Sequence, residues 1–277
     1  MPNQTPRRGP RRLTRRGRIA LIVTGVVVVA AAVVVPLTMT GDEGRPSTLT
    51  VPEGWRSNQV YDAVDKALDV PAGTTRKAVP KAKLRLPQEA GGNPEGYLFP
   101  ATYPIDDKST PESVLAYMVD TATKRLDGSG AGASGEQTTA NPYQTVTVAS
   151  IVEAEADNAQ DMGRVARVIY NRLGQDMPLQ MDSTINYALN RSTLDTSHQD
   201  TKADSPYNTY ARKGLPPSPI SNPGDTALKA ATQPARGDWL YFVTVKPGDT
   251  RFTSDYAEQK RNVAEFNKNQ GKTDKGS

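Results

Sequence analysis

Residues 19–39 (IALIVTGVVVVAAAVVVPLTM) run for 21 positions without a charged side chain. Wound as a helix, such a run spans about 30 Å, the thickness of a bilayer's hydrocarbon core, so it predicts a transmembrane helix. The flanks give it a direction. Seven arginines (Arg7, Arg8, Arg11, Arg12, Arg15, Arg16 and Arg18) precede it without an intervening acid, and Asp42 and Glu43 follow it. The positive-inside rule then puts the N-terminus in the cytoplasm and the bulk of the chain outside the cell membrane. A cleaved signal, or a twin-arginine signal built on Arg15 and Arg16, is the rival reading. The length of the run and the lack of an A-x-A site after it favour a retained anchor. Pro36 falls near the outer end of the span, where a helix tolerates it better than at the middle.

That asymmetry changes what the net charge means. The chain of 277 residues carries 34 Lys+Arg against 30 Asp+Glu, a formal +4. With the seven arginines of the tail set aside, 27 basic side chains face 30 acidic ones, a balance of −3. A basic nucleic-acid-binding face on the main body is therefore not expected. Cysteine is absent, which excludes disulfides, thiol nucleophiles and Cys-ligated metals. The single histidine, His198, lies in the polar stretch 195–204 and reads as a solvated loop residue. A Ser-His-Asp relay thus lacks its imidazole, and any chemistry falls to carboxylates, tyrosines, amides or lysines.

The pattern downstream suggests an α+β fold rather than repeated βαβ units. After a basic tail (1–18), the membrane helix (19–39) and a polar linker (40–47), a strand at 48–51 leads to a helix whose N-cap is read as Ser57. The apolar positions of that helix are Val60, Val64 and Leu68. So small a strand-helix unit cannot build a core alone and should pack on a larger body. Residues 71–93 read as an irregular connection, and a helix capped by Thr110 covers 111–126. The Gly/Ser-rich segment 128–141 reads as a flexible insertion. Helices follow at about 146–156, at 161–173 ending on Gly174, and from an Asp182 cap. A proline-rich ordered loop (205–224), a short helix near 227–232, a buried strand (239–245) and a closing helix (255–267) complete the body. Residues 268–277 read as a disordered tail.

Within 146–156, Val148, Ile151 and Val152 lie seven, four and three positions before Glu155 and share its helical face. Glu155 is therefore a carboxylate set among aliphatic side chains, which raises its pKa and suits a general acid near neutral pH. The alternative is a structural Glu paired with Arg164 or Arg167. Glu153, about 200° around the helix, is expected to face solvent.

The blocks VASIVEAEA (148–156), RVIYNRL (167–173), MPLQMDSTINYAL (177–189) and SPYNTYARKGLPPSPISNPG (205–224) resemble those of the endolytic murein transglycosylases (MltG/YceG-like). PEGYLFPATYP (94–104), LKAATQPARGDWLYFV (228–243) and RFTSDYAEQKRNVAEF (251–266) resemble them as well. The resemblance implies a small LysM-like unit, here truncated (48–93 with its connection), ahead of a YceG-like catalytic domain (94–267). It also implies cleavage between MurNAc and GlcNAc in peptidoglycan glycan strands, leaving 1,6-anhydro-MurNAc ends and terminating nascent strands. Glu155 matches the family's catalytic acid. Asn171, Gln180, Asp182, Tyr207, Asn208 and Tyr210 are implied to bind substrate. No metal or cofactor is needed, and cell-wall synthases are implied partners. Each polar residue also has a structural reading, Asp182 as a helix cap and Asn171 as a loop tie. Glu95 in PEGYLFP reads as a turn residue rather than a second acid. This chain departs from the family's closing block, with Arg251 where a histidine often precedes the Phe. The competing functions are a non-catalytic peptidoglycan-binding scaffold of the cell-wall synthesis machinery and a hydrolase that uses water.

Overall fold

The structure, a computed structural model, describes residues 47–129, 140–191, 197 and 199–271. The basic tail, the apolar run at 19–39, nearly all of the linker, most of the 128–141 insertion, His198 and residues 272–277 lie outside the described residues. Among the described residues, no helix is long and apolar enough to cross a membrane.

Strand β1 (Ser47–Thr50) pairs antiparallel with β2 (Thr102–Ile105), Leu49 opposite Tyr103. Between them lie α1 (Ser57–Ala67), the short α2 (Thr74–Ala78) and two single 3-10 turns, so the connection is more regular than its Pro/Lys content suggested. Val51, Val60 and Val64 join the same apolar core as the rest of the chain. The small N-terminal unit is thus completed by β2, beyond the boundary at 93/94, and the chain from Pro46 onward forms one compact unit. Ser57 is the first helical residue of α1 rather than its cap. Arg56 takes the cap position, and its N–H donates to Gln59 Oε1 at 2.9 Å.

Helix α3 (Pro111–Gly128) starts from Thr110, whose hydroxyl accepts the Ser113 N–H. Helix α4 (Pro142–Glu155) is the centre of the molecule. Asn141 caps it, and every residue from Thr145 to Val152 is buried. The stretch is built of aliphatic and small hydroxyl side chains and is covered all round: α5 (Ala159–Gly174) and α7 (Asp225–Thr232) pack against α4 and each other. The loop 205–224 closes a further side: Ser150 Oγ on α4 accepts the Ile220 N–H at 3.0 Å. Asn222, fully buried, accepts the Leu98 N–H and donates to the Trp55 carbonyl, each at 2.8 Å. One amide thereby ties together segments more than a hundred residues apart in sequence.

Helix α6 (Asp182–Ala188) is short and follows α5 through a backbone bend. The C-terminal part is an antiparallel hairpin, β3 (Tyr241–Lys246) with β4 (Asp249–Thr253), backed by α8 (Tyr256–Asn269). The hairpin turn uses Gly248 at φ +78°, a conformation glycine adopts freely. Strand β4 is absent from the sequence reading, and β3 is half-exposed rather than buried apart from Val245. Helix α8 runs two residues beyond its expected end at 267. Among the described residues, two separate two-stranded antiparallel sheets set among helices make the fold α+β.

Candidate active site

Helix α4 stops at Glu155, and Ala156 is already extended. The carboxylate thus stands on the last turn, below Val148, Ile151 and Val152, each 0 % exposed. It lines a cleft of about 510 Å³ between α5, α6, β3 and α8, with Arg172, Gln180, Asp182, Tyr210, Phe242 and Tyr256 among the other lining residues. Glu155 Oε1 accepts the Ser183 N–H at 3.3 Å. Burial pushes the Glu155 carboxyl above the ordinary Glu value; the Ser183 hydroxyl and N–H oppose the rise, and the charge of Asp182 adds to it. The structural alternative does not apply. Arg164 pairs with Asp161 at 3.6 Å, and Arg167 Nε donates to the Ala235 carbonyl at 2.6 Å.

Three of the six expected substrate-binding residues join Glu155. Asp182 is the first residue of α6, with Met181 at the cap position, so its side chain does not cap the helix. Instead it accepts the Tyr210 hydroxyl at 2.6 Å. Burial, and then the bond to Asp182, raise the Tyr210 pKa. Gln180 holds a left-handed backbone, φ +55°, uncommon for a residue with a Cβ. Its N–H donates to the Thr209 carbonyl at 3.0 Å, and its Oε1 accepts from Arg172 Nη1 at 3.0 Å.

The other three hold loops and do not line the cleft. Asn171 Nδ2 donates to the Trp239 carbonyl at 2.9 Å and the Gly237 carbonyl at 3.2 Å, fixing the approach to β3. The Tyr207 hydroxyl meets Ser218 Oγ at 2.7 Å, and its ring packs 4.9 Å from that of Tyr187. Asn208 is fully buried; Nδ2 donates to the Ala203 and Thr201 carbonyls, and Oδ1 accepts the Tyr210 N–H at 3.0 Å. Its part is to place the Tyr210 backbone. Glu153, expected in solvent, is half-buried and accepts the Gly224 N–H at 3.0 Å, because α7 covers that side of α4. Burial raises its pKa as well.

Arg172 is a cleft residue the sequence reading passed over. It follows Val165, Val168 and Ile169 by seven, four and three positions, the same spacing that turned Glu155 inward. Buried at 6 % exposure, it donates from Nε to the Leu240 carbonyl at 2.6 Å and from Nη1 to the Pro178 and Leu179 carbonyls at 2.9 and 3.0 Å. Its guanidinium lies 5.2 Å from the Tyr241 ring centre. One side chain therefore joins α5, the 178–180 bend and β3, three walls of the cleft. Burial lowers its pKa, partly offset by Tyr241 and Tyr210.

The model of the YceG-like family matches residues 29–265. The chain belongs to the YceG-like family. It is 36 % identical over 168 residues to an endolytic murein transglycosylase of Bacillus subtilis (strain 168), covering 60 % of this chain and 46 % of that protein. An endolytic murein transglycosylase of Streptococcus pneumoniae (serotype 2, strain D39) is 33 % identical over 246 residues, covering 79 % of this chain and 44 % of that protein. The chain thus spans less than half the length of these curated relatives. The crystal structure of a yceG-like protein from Listeria monocytogenes superposes with a TM-score of 0.68 at 30 % identity, covering 79 % of this chain and 76 % of that one. In this YceG-like chain Arg251 ties β4 to α8, pairing with Glu265 at 2.7 Å, and also pairs with Asp249 at 3.3 Å. Those two acids raise its pKa.

Proposed function

We propose that the protein is a membrane-anchored lytic transglycosylase that cuts MurNAc–GlcNAc bonds within peptidoglycan glycan strands and leaves 1,6-anhydro-MurNAc ends. The observation that carries this reading is Glu155, a carboxyl raised by burial at the wall of a cleft lined with aromatic rings, an amide and a carboxylate. The curated relatives are endolytic murein transglycosylases by name.

In the proposed reaction, Glu155 gives its proton to the glycosidic oxygen as positive charge develops at C1 of MurNAc. The resulting carboxylate takes the proton of the C6 hydroxyl, whose oxygen closes on C1. The proton returns to Glu155, the glycosidic bond is broken and the C6–O–C1 bond is formed, without water. An intramolecular attacker has a high effective concentration, which lets a single acid serve both steps. The charge of Asp182 helps Glu155 keep its proton and stabilises the cationic transition state. Tyr210 holds Asp182 in place.

Asp182 also supports a second reading. A carboxylate beside the acid could activate a water and make the enzyme a hydrolase. The two differ in product: anhydro ends for the lyase, reducing ends for the hydrolase. Mass spectrometry of the muropeptides released from purified peptidoglycan separates them, and no released ends would favour a binding scaffold.

The apolar run at 19–39 and the seven arginines before it support a single-pass anchor with the catalytic domain outside the cell membrane. A site tethered close to the membrane is suited to strands still being synthesised. Termination of those strands beside cell-wall synthases is the corresponding biological role.

A further inference from the structure

A second cavity, of about 400 Å³, opens beside α1 and is lined in part by Arg56, Ser57, Arg76, Glu95 and Tyr187. The chemistry proposed for Glu155 makes no use of it. Two guanidinium groups define its character. Arg56 lies 5.1 Å from the Tyr187 ring centre and Arg76 lies 5.7 Å from that of Tyr61, so each is oriented by an aromatic face. Arg56 Nη2 donates to the Arg191 carbonyl at 2.7 Å. Among the described residues, neither guanidinium forms an ion pair.

The carboxylate in the wall is already engaged. Glu95, 4 % exposed, accepts the Ser57 N–H at 2.9 Å, the Tyr187 hydroxyl at 3.2 Å and Asn222 Nδ2 at 3.3 Å. Burial pushes its carboxyl up to about 7, against the bonds from Ser57 and Tyr187 and the charge of Arg56, so it offsets the two cations only in part. Ser57 is 6 % exposed, and its hydroxyl sits between Glu95 and Tyr61 in the cavity wall.

The cavity also has a fixed relation to Glu155. Tyr187 follows Ser183 by four positions on α6, so the side chain at this cavity and the N–H that bonds Glu155 belong to adjacent turns on one face of α6, about 6 Å apart along the axis. We infer that this cavity is a second binding site, which takes a carboxylate-bearing peptide attached to the sugar chain, its carboxylate received by Arg56 and Arg76. The site rests on the function proposed above, since MurNAc in peptidoglycan carries such a peptide. Guanidinium forks match carboxylates in shape and charge. The amides of Asn58, Asn93 and Asn190 in the lining suit a peptide backbone.

The test compares kcat/KM of the whole chain on peptidoglycan strands with their peptides intact and on the same strands stripped by an amidase. The wild type should prefer the peptide-bearing strands. Arg56→Gln and Arg76→Gln should each lower that preference about tenfold, the effect expected for losing one charge-assisted contact. Arg76 is exposed, so its substitution spares the core. A preference unchanged in both variants overturns the inference and leaves the proposed activity standing. If the wild type cuts neither strand, the proposed activity falls, and calorimetric titration with the free tetrapeptide L-Ala-D-Glu-meso-diaminopimelate-D-Ala decides the site. Saturable heat that is lost in Arg76→Gln supports the site; heat that is absent, or retained in that variant, overturns it.

Discussion

Two carboxyls, Glu155 and Glu95, are linked to one short helix. Ser183 on α6 donates its N–H to Glu155, and Tyr187 one turn later donates its hydroxyl to Glu95. Both acids are raised, chiefly by burial, but the consequences differ. Glu155 must be protonated to act, so activity should fall as pH rises through its raised pKa, and the alkaline limb of the kcat/KM profile should lie above the ordinary Glu range. Asp182 contributes to that rise, so Asp182→Asn should move the limb to lower pH; a limb that stays put would remove Asp182 from the account. Glu95 bears on stability. Its folded pKa of about 7 exceeds its ordinary value of 4.5, so the folded state binds a proton more tightly than the unfolded state. The stability Glu95 contributes is therefore fully present below the ordinary value and is lost, by about 3 kcal/mol, as pH rises to about 7. Chemical denaturation at several pH values should show a steeper decline in the wild type than in Glu95→Gln, which keeps the contributions of the raised Glu153 and Glu155 carboxyls. Glu155 was legible from sequence because a helical period alone turns it inward. Tyr207 and Asn208 were not, because their partners are hydroxyls and carbonyls that only the folded loops bring near, whereas the loop-tie alternative read for Asn171 is what the structure shows.

At the scale of elements, the central helix α4 explains most of the architecture. A helix buried all round demands cover, and the segments that resemble the family's blocks supply it. Gly96 shows how close that cover comes. Its φ is +86°, and an added Cβ would lie 2.6 Å from Pro219 and 2.9 Å from Val146 of α4. Gly96→Ala should therefore destabilise the protein by about 2–4 kcal/mol, through both backbone strain and overpacking. A thermal melt within a degree of the wild type would contradict this packing. The long periodic helices were legible in advance, as were the Thr110 cap and the irregular loop at 205–224. Strand β4 was missed because it is short and polar and exists only by pairing with β3. The Asp182 cap failed for a different reason. Its side chain is drawn to Tyr210, 28 residues on, which local capping rules do not see.

At the scale of the whole molecule, the described residues from 47 onward form one compact α+β unit, and the proposed anchor precedes them in sequence. Reporter fusions should give a cytoplasmic N-terminus and an extracytoplasmic C-terminus; the reverse pattern, or a soluble full-length product, would contradict the anchor read from residues 19–39. The central claim rests on one carboxyl, and the most direct measurement of it is mass spectrometry of the ends released from purified peptidoglycan by the wild type and by Glu155→Gln. The account predicts 1,6-anhydro-MurNAc ends from the wild type and a loss of at least about 10²-fold in the variant, whose amide cannot donate the acid's proton. Reducing ends from the wild type, or anhydro ends from a fully active variant, would contradict it.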